Sequence, residues 1–227
     1  MDFRFSPAEE AFRQEVRDWL KVNLPDDWTG DRFTRASRED AAAEGMSIYK
    51  EFALKLATKG WVAPHWPEAY GGLGFSIVDQ LIFNEEMAEA NAPIGYSSIG
   101  VGWAGPTIIV CGSEEQKKRF LSPITSGEMM WCQGFSEPNA GSDLANISTR
   151  AVRDGDDYVI NGQKIWTSGA HYADWMILIA RTDPDAPKHK GISYFLVDMK
   201  TPGITIQPLI DMMDNHGFNE MFFENVR

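Results

Sequence analysis

The chain has 227 residues, 43% of them hydrophobic and 24% charged, a composition that excludes intrinsic disorder and suffices for two modest domains with real cores. Its formal net charge of −12 and pI near 4.8, with no Lys/Arg-rich run, argue against a nucleic-acid partner. No apolar stretch approaches the ~20 residues that span a bilayer, and the opening MDFRFSPAEE lacks the apolar core of a signal peptide, so a cytoplasmic protein is expected.

Ser6-Pro7-Ala8-Glu9 reads as a capping box with proline at the first helical position, and Phe12, Val16, Trp19 and Leu20 follow at helical spacing. This predicts a first helix to about Leu24. Ser37 to Asp40 repeats the N-cap signal, and the stripe Ile48, Phe52, Leu56 runs on until Gly60 stops it. WVAPHWPEAYGGLG, residues 61–74, carries too many prolines and glycines for regular structure and is expected to be a loop pinned by aromatics. Phe75 to Ala90 returns to helix, with Glu85, Glu86 and Glu89 on its polar side. Ile94 to Val110 is apolar nearly all round and predicts a buried central helix. Ser113-Glu114-Glu115-Gln116 then caps a short amphipathic helix ending before Pro123.

Near Gly127 the segments become short, β-branched and aromatic. Asp154-Gly155 and Asn161-Gly162 read as hairpin turns bracketing Tyr158-Val159-Ile160 and leading into Gln163 to Thr167. Further strands are expected at Trp175–Ala180, Ile192–Val197, Ile204–Leu209 and Met221–Val226. The expected class is α+β: an all-helical domain over residues 1–126, then an antiparallel β-sandwich or barrel over 127–227, with their seam a usual place for a ligand.

Cys111 and Cys132 form no CxxC pattern and read as reduced, buried thiols. His65, His171, His189 and His216 never fall at i and i+4, so no metal site is expected. The stretch GFSEPNAGSD, residues 134–143, follows the first expected strand. Its Ser136 and Ser142 hydroxyls, with the backbone N–H groups around Gly141, suit a phosphate or a polarised carbonyl, or else they satisfy their own turn. No GxGxxG or Walker pattern occurs. In NGQKIWTSG, residues 161–169, strand alternation sends Trp166 and Ser168 to one face, where an indole two positions from a hydroxyl suits a planar ring with edge heteroatoms. A core tryptophan is the competing account.

Gln133 to Asp143 followed by Asn161 to Gly169 resembles the paired signature of the flavin-dependent acyl-CoA dehydrogenases, and the domain order fits that family along the whole chain. The resemblance implies FAD as cofactor, lined by Gln133, Phe135, Ser136, Gly141, Ser142, Trp166, Thr167 and Ser168, with Trp166 shielding the reactive edge and Ser142 turned to the CoA of the substrate. Ser168 replaces the more usual threonine and keeps its hydroxyl. The implied reaction removes an α-proton by a carboxylate and passes hydride from the β-carbon to the flavin, giving a trans-2-enoyl-CoA. Oriented donors then stabilise charge on the thioester carbonyl.

Family members continue into an all-helical C-terminal domain that supplies the catalytic glutamate and the tetramer core. That domain is absent from this chain, so the base is expected beyond Arg227 and the sequence is read as a fragment, or as a subunit completed by another chain. An electron-transferring flavoprotein and a homo- or heterotetramer are the implied partners. The version WCQGFSEP resembles actinobacterial members, some acting on bulky or steroid-derived thioesters. Gly95, Gly100, Gly102 and Gly105 in Ala92–Pro106 would widen an acyl cavity or let helices pack closely. A same-fold flavin monooxygenase or nitroalkane oxidase, and a non-catalytic scaffold without flavin, are the alternative functions. Lys188-His189-Lys190 is a local basic spot that would meet a CoA phosphate or, as the better-supported account, lie in a solvated loop.

Overall fold

A computed structural model describes residues 4–25, 28, 39–212, 214 and 216–227. The chain divides into two compact units, Met1–Glu128 and Met129–Arg227.

In the first unit, α1 (Pro7–Asn23) starts where the capping box predicts: the Glu9 N–H donates to Ser6 Oγ at 3.3 Å, and the Ser6 N–H to Glu9 Oε2 at 2.6 Å. The N-cap expected at Ser37 lies outside the described residues. Helix α2 (Glu39–Ala57) ends at Gly60, whose left-handed φ of +69° and N–H bond to Ala57 close the last turn. Val16 and Leu20 of α1 bury against Phe52, Leu56, Trp61, Phe83 and Met87. Trp61 and Trp66 anchor the 61–74 loop in the interior, and Trp66 Nε1 donates to the Val101 carbonyl at 3.1 Å.

Three expectations about the helices are corrected in this unit. Helix α3 (Ile77–Glu89) does not carry Glu86 on a polar face. Its side chain is 3% exposed and takes Arg13 Nη1 at 2.6 Å and Arg17 Nε at 2.7 Å, so the carboxylate ties α1 to α3. The 94–110 segment is not one buried helix. Residues Gly100–Ala104 make a π-turn in which the Gly105 N–H reaches the Gly100 carbonyl, and α4 follows over Gly105–Cys111. Glycines and Pro106 break the regular pattern here, leaving a narrow buried stripe (Gly100, Ala104, Gly105, Ile108) while Trp103 and Val110 are 51% and 80% exposed. Helix α5 (Glu114–Thr125) runs through Pro123 because Phe120, Leu121 and Ile124 bury on either side of it and outweigh the lost backbone bond.

The second unit is a curled seven-stranded sheet in the order β1-β4-β2-β3-β7-β6, with β5 on β4. Its strands are β1 (Trp131–Gly134), β2 (Arg150–Asp154), β3 (Asp157–Ser168), β4 (Trp175–Arg181), β5 (Ile192–Asp198), β6 (Ile204–Leu209) and β7 (Phe218–Val226). Most pairs are antiparallel, but β1 runs parallel to β4, Trp131 opposite Trp175, and β2 touches β4 in parallel at Arg150–Arg181. Asp154-Gly155 does form the β2–β3 hairpin. Asn161-Gly162 does not turn: it lies inside β3 at a register shift against β7. Glycine is needed there for close approach, since at φ +151° a Cβ would meet Thr149 Oγ1 at 2.5 Å. Inside the curl pack Cys132, Met176, Leu178, Val197, Met221 and Phe223. Burial pushes the Cys132 thiol up to about 12, whereas Cys111, expected to be buried, is exposed.

Candidate functional site

Strand β1 ends at Gly134, whose missing Cβ leaves room for Met176 Sδ, and the chain then turns tightly through Pro138-Asn139. The turn is closed by reciprocal backbone bonds, the Glu137 N–H to the Ala140 carbonyl at 2.9 Å and the Ala140 N–H to the Glu137 carbonyl at 3.0 Å. Ser136 is half-buried, while Gly141, Ser142 and Asp143 are exposed. Asp143 pairs with Lys188 at 2.5 Å, so one lysine of the basic spot reaches the loop itself.

The far end of β3 carries the second constellation. Between Lys164 and Thr167 the register with β7 shifts, and Trp166 adopts a left-handed φ of +59°, a true outlier for a bulky residue. The bulge reorders the faces. Lys164 and Thr167 turn inward and are fully buried, whereas Trp166 is 60% exposed and Ser168 is exposed beside it. Trp166 is therefore not a core residue. Its ring meets Phe218 edge-on, centroids 5.8 Å apart at 87°. A cost of about 1–2 kcal/mol for left-handed backbone bears on Cβ, so Trp166→Gly should be more stable than Trp166→Ala by about 1 kcal/mol in urea unfolding, the reverse of an ordinary strand position.

The two segments are stitched together. The Ile165 N–H donates to the Ser136 carbonyl at 2.9 Å, and Lys164 Nζ donates to the Phe135 carbonyl at 3.1 Å and to Glu137 Oε1 at 2.8 Å. Glu137 further accepts from the Ser148 N–H at 2.6 Å and the Thr149 N–H at 3.0 Å. Burial favours the neutral acid, but Lys164 and these backbone donors together hold the Glu137 carboxyl below the usual carboxylate range. Burial likewise draws the Lys164 ammonium below its ordinary value against the pull of Glu137. A carboxylate so fully engaged is a structural group and does not serve as a general base.

The structure thus gathers Phe135 and Ser136 beside the strand of Trp166 and Ser168, while Gln133 lies half-buried in β1. Thr167 turns its side chain to the other face, with an Oγ1 that has no partner among the described residues. Its carbonyl is held by Asn219 Nδ2 at 3.0 Å, and Asn219 Oδ1 meets His171 Nδ1 at 3.0 Å. Lys164 and Asn219 escaped the sequence reading. Simple alternation puts Lys164 on the face of Trp166, and only the bulge reverses it. Within the helical unit, a cavity of about 290 Å³ is lined by Trp61, Phe83, Tyr96, Ser97, Val101 and Gly102 among others. The buried Ser97 Oγ has no partner among the described residues. A Cβ at Gly102 would meet nothing, at Gly95 only Tyr49 at 3.6 Å, but at Gly105 it would sit 2.0 Å from Trp66 Cη2. Gly105 therefore serves close packing.

A helical unit followed by a curled β unit that brings these two segments together has the domain order of the flavin-dependent acyl-CoA-oxidising enzymes. The acyl-CoA dehydrogenase N-terminal domain matches residues 6–128 and the middle domain residues 132–226, and the chain belongs to the acyl-CoA dehydrogenase family. Acyl-CoA dehydrogenase FadE34 of Mycobacterium tuberculosis is 53% identical over 187 residues, covering 82% of this chain and 26% of that protein. Among solved structures, the Tcur3481-Tcur3483 steroid ACAD has a TM-score of 0.85 at 38% identity over 100% of this chain and 56% of its own. The ChsE4-ChsE5 complex from Mycobacterium tuberculosis has a TM-score of 0.84 at 38% identity over 100% of this chain and 55% of its own. The chain spans from about a quarter to just over half the length of these relatives. Among the described residues no helix is long and apolar enough to cross a membrane.

Proposed function

We propose that this chain supplies the FAD wall of a cytoplasmic acyl-CoA dehydrogenase that converts a bulky acyl-CoA thioester to its trans-2-enoyl-CoA. The observation that carries the reading is Trp166, exposed on a strained backbone beside Ser168 and stitched through Ile165 to Ser136. Strain and exposure of a large aromatic accumulate where a ligand is met. Phe135, Ser136, Trp166 and Ser168 would hold the flavin ring, with Gln133, Gly141 and the Thr167 backbone as further contacts, and Ser142, exposed at the loop tip, would meet CoA. Bound FAD supplies a two-electron oxidant. The residues here orient it, shield it from water and present hydroxyl and N–H donors.

The proton-abstracting carboxylate comes from outside these residues, since Glu137 is committed to Lys164. The cavity at Ser97 and Gly102 accommodates the acyl group, and its open Gly102 side supports a wide rather than a slim chain. The names of the similar proteins, a steroid enzyme among them, support the same direction. One of those structures is a complex of two named chains, which supports a heteromeric assembly here. The expected electron acceptor is an electron-transferring flavoprotein.

The test is one anaerobic titration of the complete protein. A visible flavin spectrum is expected, bleached by a polycyclic acyl-CoA at least about tenfold faster than by octanoyl-CoA, a difference of about 1.4 kcal/mol in the barrier. Lack of flavin would establish a non-catalytic scaffold, and bleaching that requires oxygen would point to an oxidase or monooxygenase. Faster reaction with octanoyl-CoA would sink the bulky-substrate assignment alone.

A further inference from the structure

Strands β1 and β3 are not neighbours in the sheet, yet the curl brings the residues just after β1 against the end of β3. At that closure the Ile165 N–H donates to the Ser136 carbonyl and joins the two segments. The only side chains bridging them in the hydrogen bonds described above are Lys164, fully buried, and Glu137, 6% exposed at its side chain. A buried ion pair is weak evidence for stability, because an apolar pair of the same shape often serves as well. Its retention at this place invites another reason. Lys164 donates to two residues of the loop, the Phe135 carbonyl and the Glu137 carboxylate. Glu137 in turn grips the Ser148 and Thr149 N–H groups, where β2 is about to start. Directional bonds of this kind fix a distance, which apolar packing does not.

We infer that Glu137 and Lys164 are positioning residues for the reaction: they set the spacing and tilt of Phe135–Ser136 relative to Trp166–Ser168. Neither side chain reaches the exposed face. They act through the backbone of the residues that do, and the bulge after Lys164 is the means by which a buried lysine can sit two positions from an exposed tryptophan. This inference rests on the flavin reading proposed above.

The experiment uses the complete protein isolated with FAD and three variants, Lys164→Met, Glu137→Gln and the double substitution. The double variant leaves no unpaired buried charge, so it folds even where a single variant does not. All variants that fold should bind FAD with an altered visible circular dichroism. Their flavin reduction at saturating acyl-CoA should slow between about tenfold and about a hundredfold, as expected when reacting groups shift by under ~1 Å, with little change in KM. A double variant with the dichroism and reduction rate of the unsubstituted protein would overturn the inference and leave the pair a packing device. Absence of flavin from the unsubstituted protein would instead overturn the flavoprotein reading, so the two failures are distinct.

Discussion

Glu86→Ala should lower the unfolding free energy of the helical unit by about 3 kcal/mol, read from the urea midpoint with an unchanged slope. The value sits at the lower end for a broken buried pair. Arg13, 12% exposed at its side chain, keeps Glu85 at 2.8 Å but loses Glu86, whereas Arg17, 44% exposed at its side chain, recovers water. The effect also carries a pH signature. Burial works to raise the Glu86 pKa, but the hydrogen bonds from Arg17 and Arg13 outweigh it, and the carboxyl lies below its ordinary value. A carboxyl depressed by folding stabilises above its unfolded pKa of about 4.3, and that stabilisation disappears as pH falls through the lower, folded value. The gap between the parent and Glu86→Ala should therefore be full near neutrality and close in acid. A gap that widens on acidification would contradict the assignment.

Gly105→Ala should cost about 3 kcal/mol, the upper part of the range for overpacking. The new methyl would lie 2.0 Å from Trp66 Cη2 and 2.1 Å from Cζ2, and Trp66 has nowhere to go: it is 2% exposed and its Nε1 is held by the Val101 carbonyl. Gly102→Ala, by contrast, enters open space, and its stability should be unchanged or improved by up to ~1 kcal/mol through helix propensity. Thermal melts of the two proteins side by side decide the matter. Equal losses would show that the segment tolerates no added methyl anywhere, and the packing account of Gly105 would lose its specificity.

Local chemistry was legible. The capping boxes read at Ser6 and Ser113 each bond within three residues, and α1 and α5 begin at them. The first two of the three corrections in the helices share a cause, partners far along the chain. Glu86 looks solvated until Arg13 and Arg17 are brought to it. Gly105 is ambiguous until Trp66 is known to lie over it. In the β unit, Asn161-Gly162 has the chemistry of a hairpin turn, and Thr149 at close range gives the glycine a different purpose. At the candidate site, the resemblance reached Trp166 and Ser168, but nothing in NGQKIWTSG announces a left-handed tryptophan. The consequence is that the sequence named Trp166 and Ser168, which lie exposed, while leaving the buried Lys164 beneath them unread.

The parallel pairing of β1 with β4 has a temporal side. The β2–β3 hairpin can close as soon as its own residues leave the ribosome, for its partners are joined by a short turn. Residues 131–134 have no such neighbour. Their strand partner among the described residues is Trp175–Leu178, so the loop at 134–143 is among the first parts of the β unit to be synthesised and cannot be fixed on β4 until that later strand has emerged. Any shortened version of the sequence that stops before β4 would keep every residue of that loop and lose the edge on which it is built.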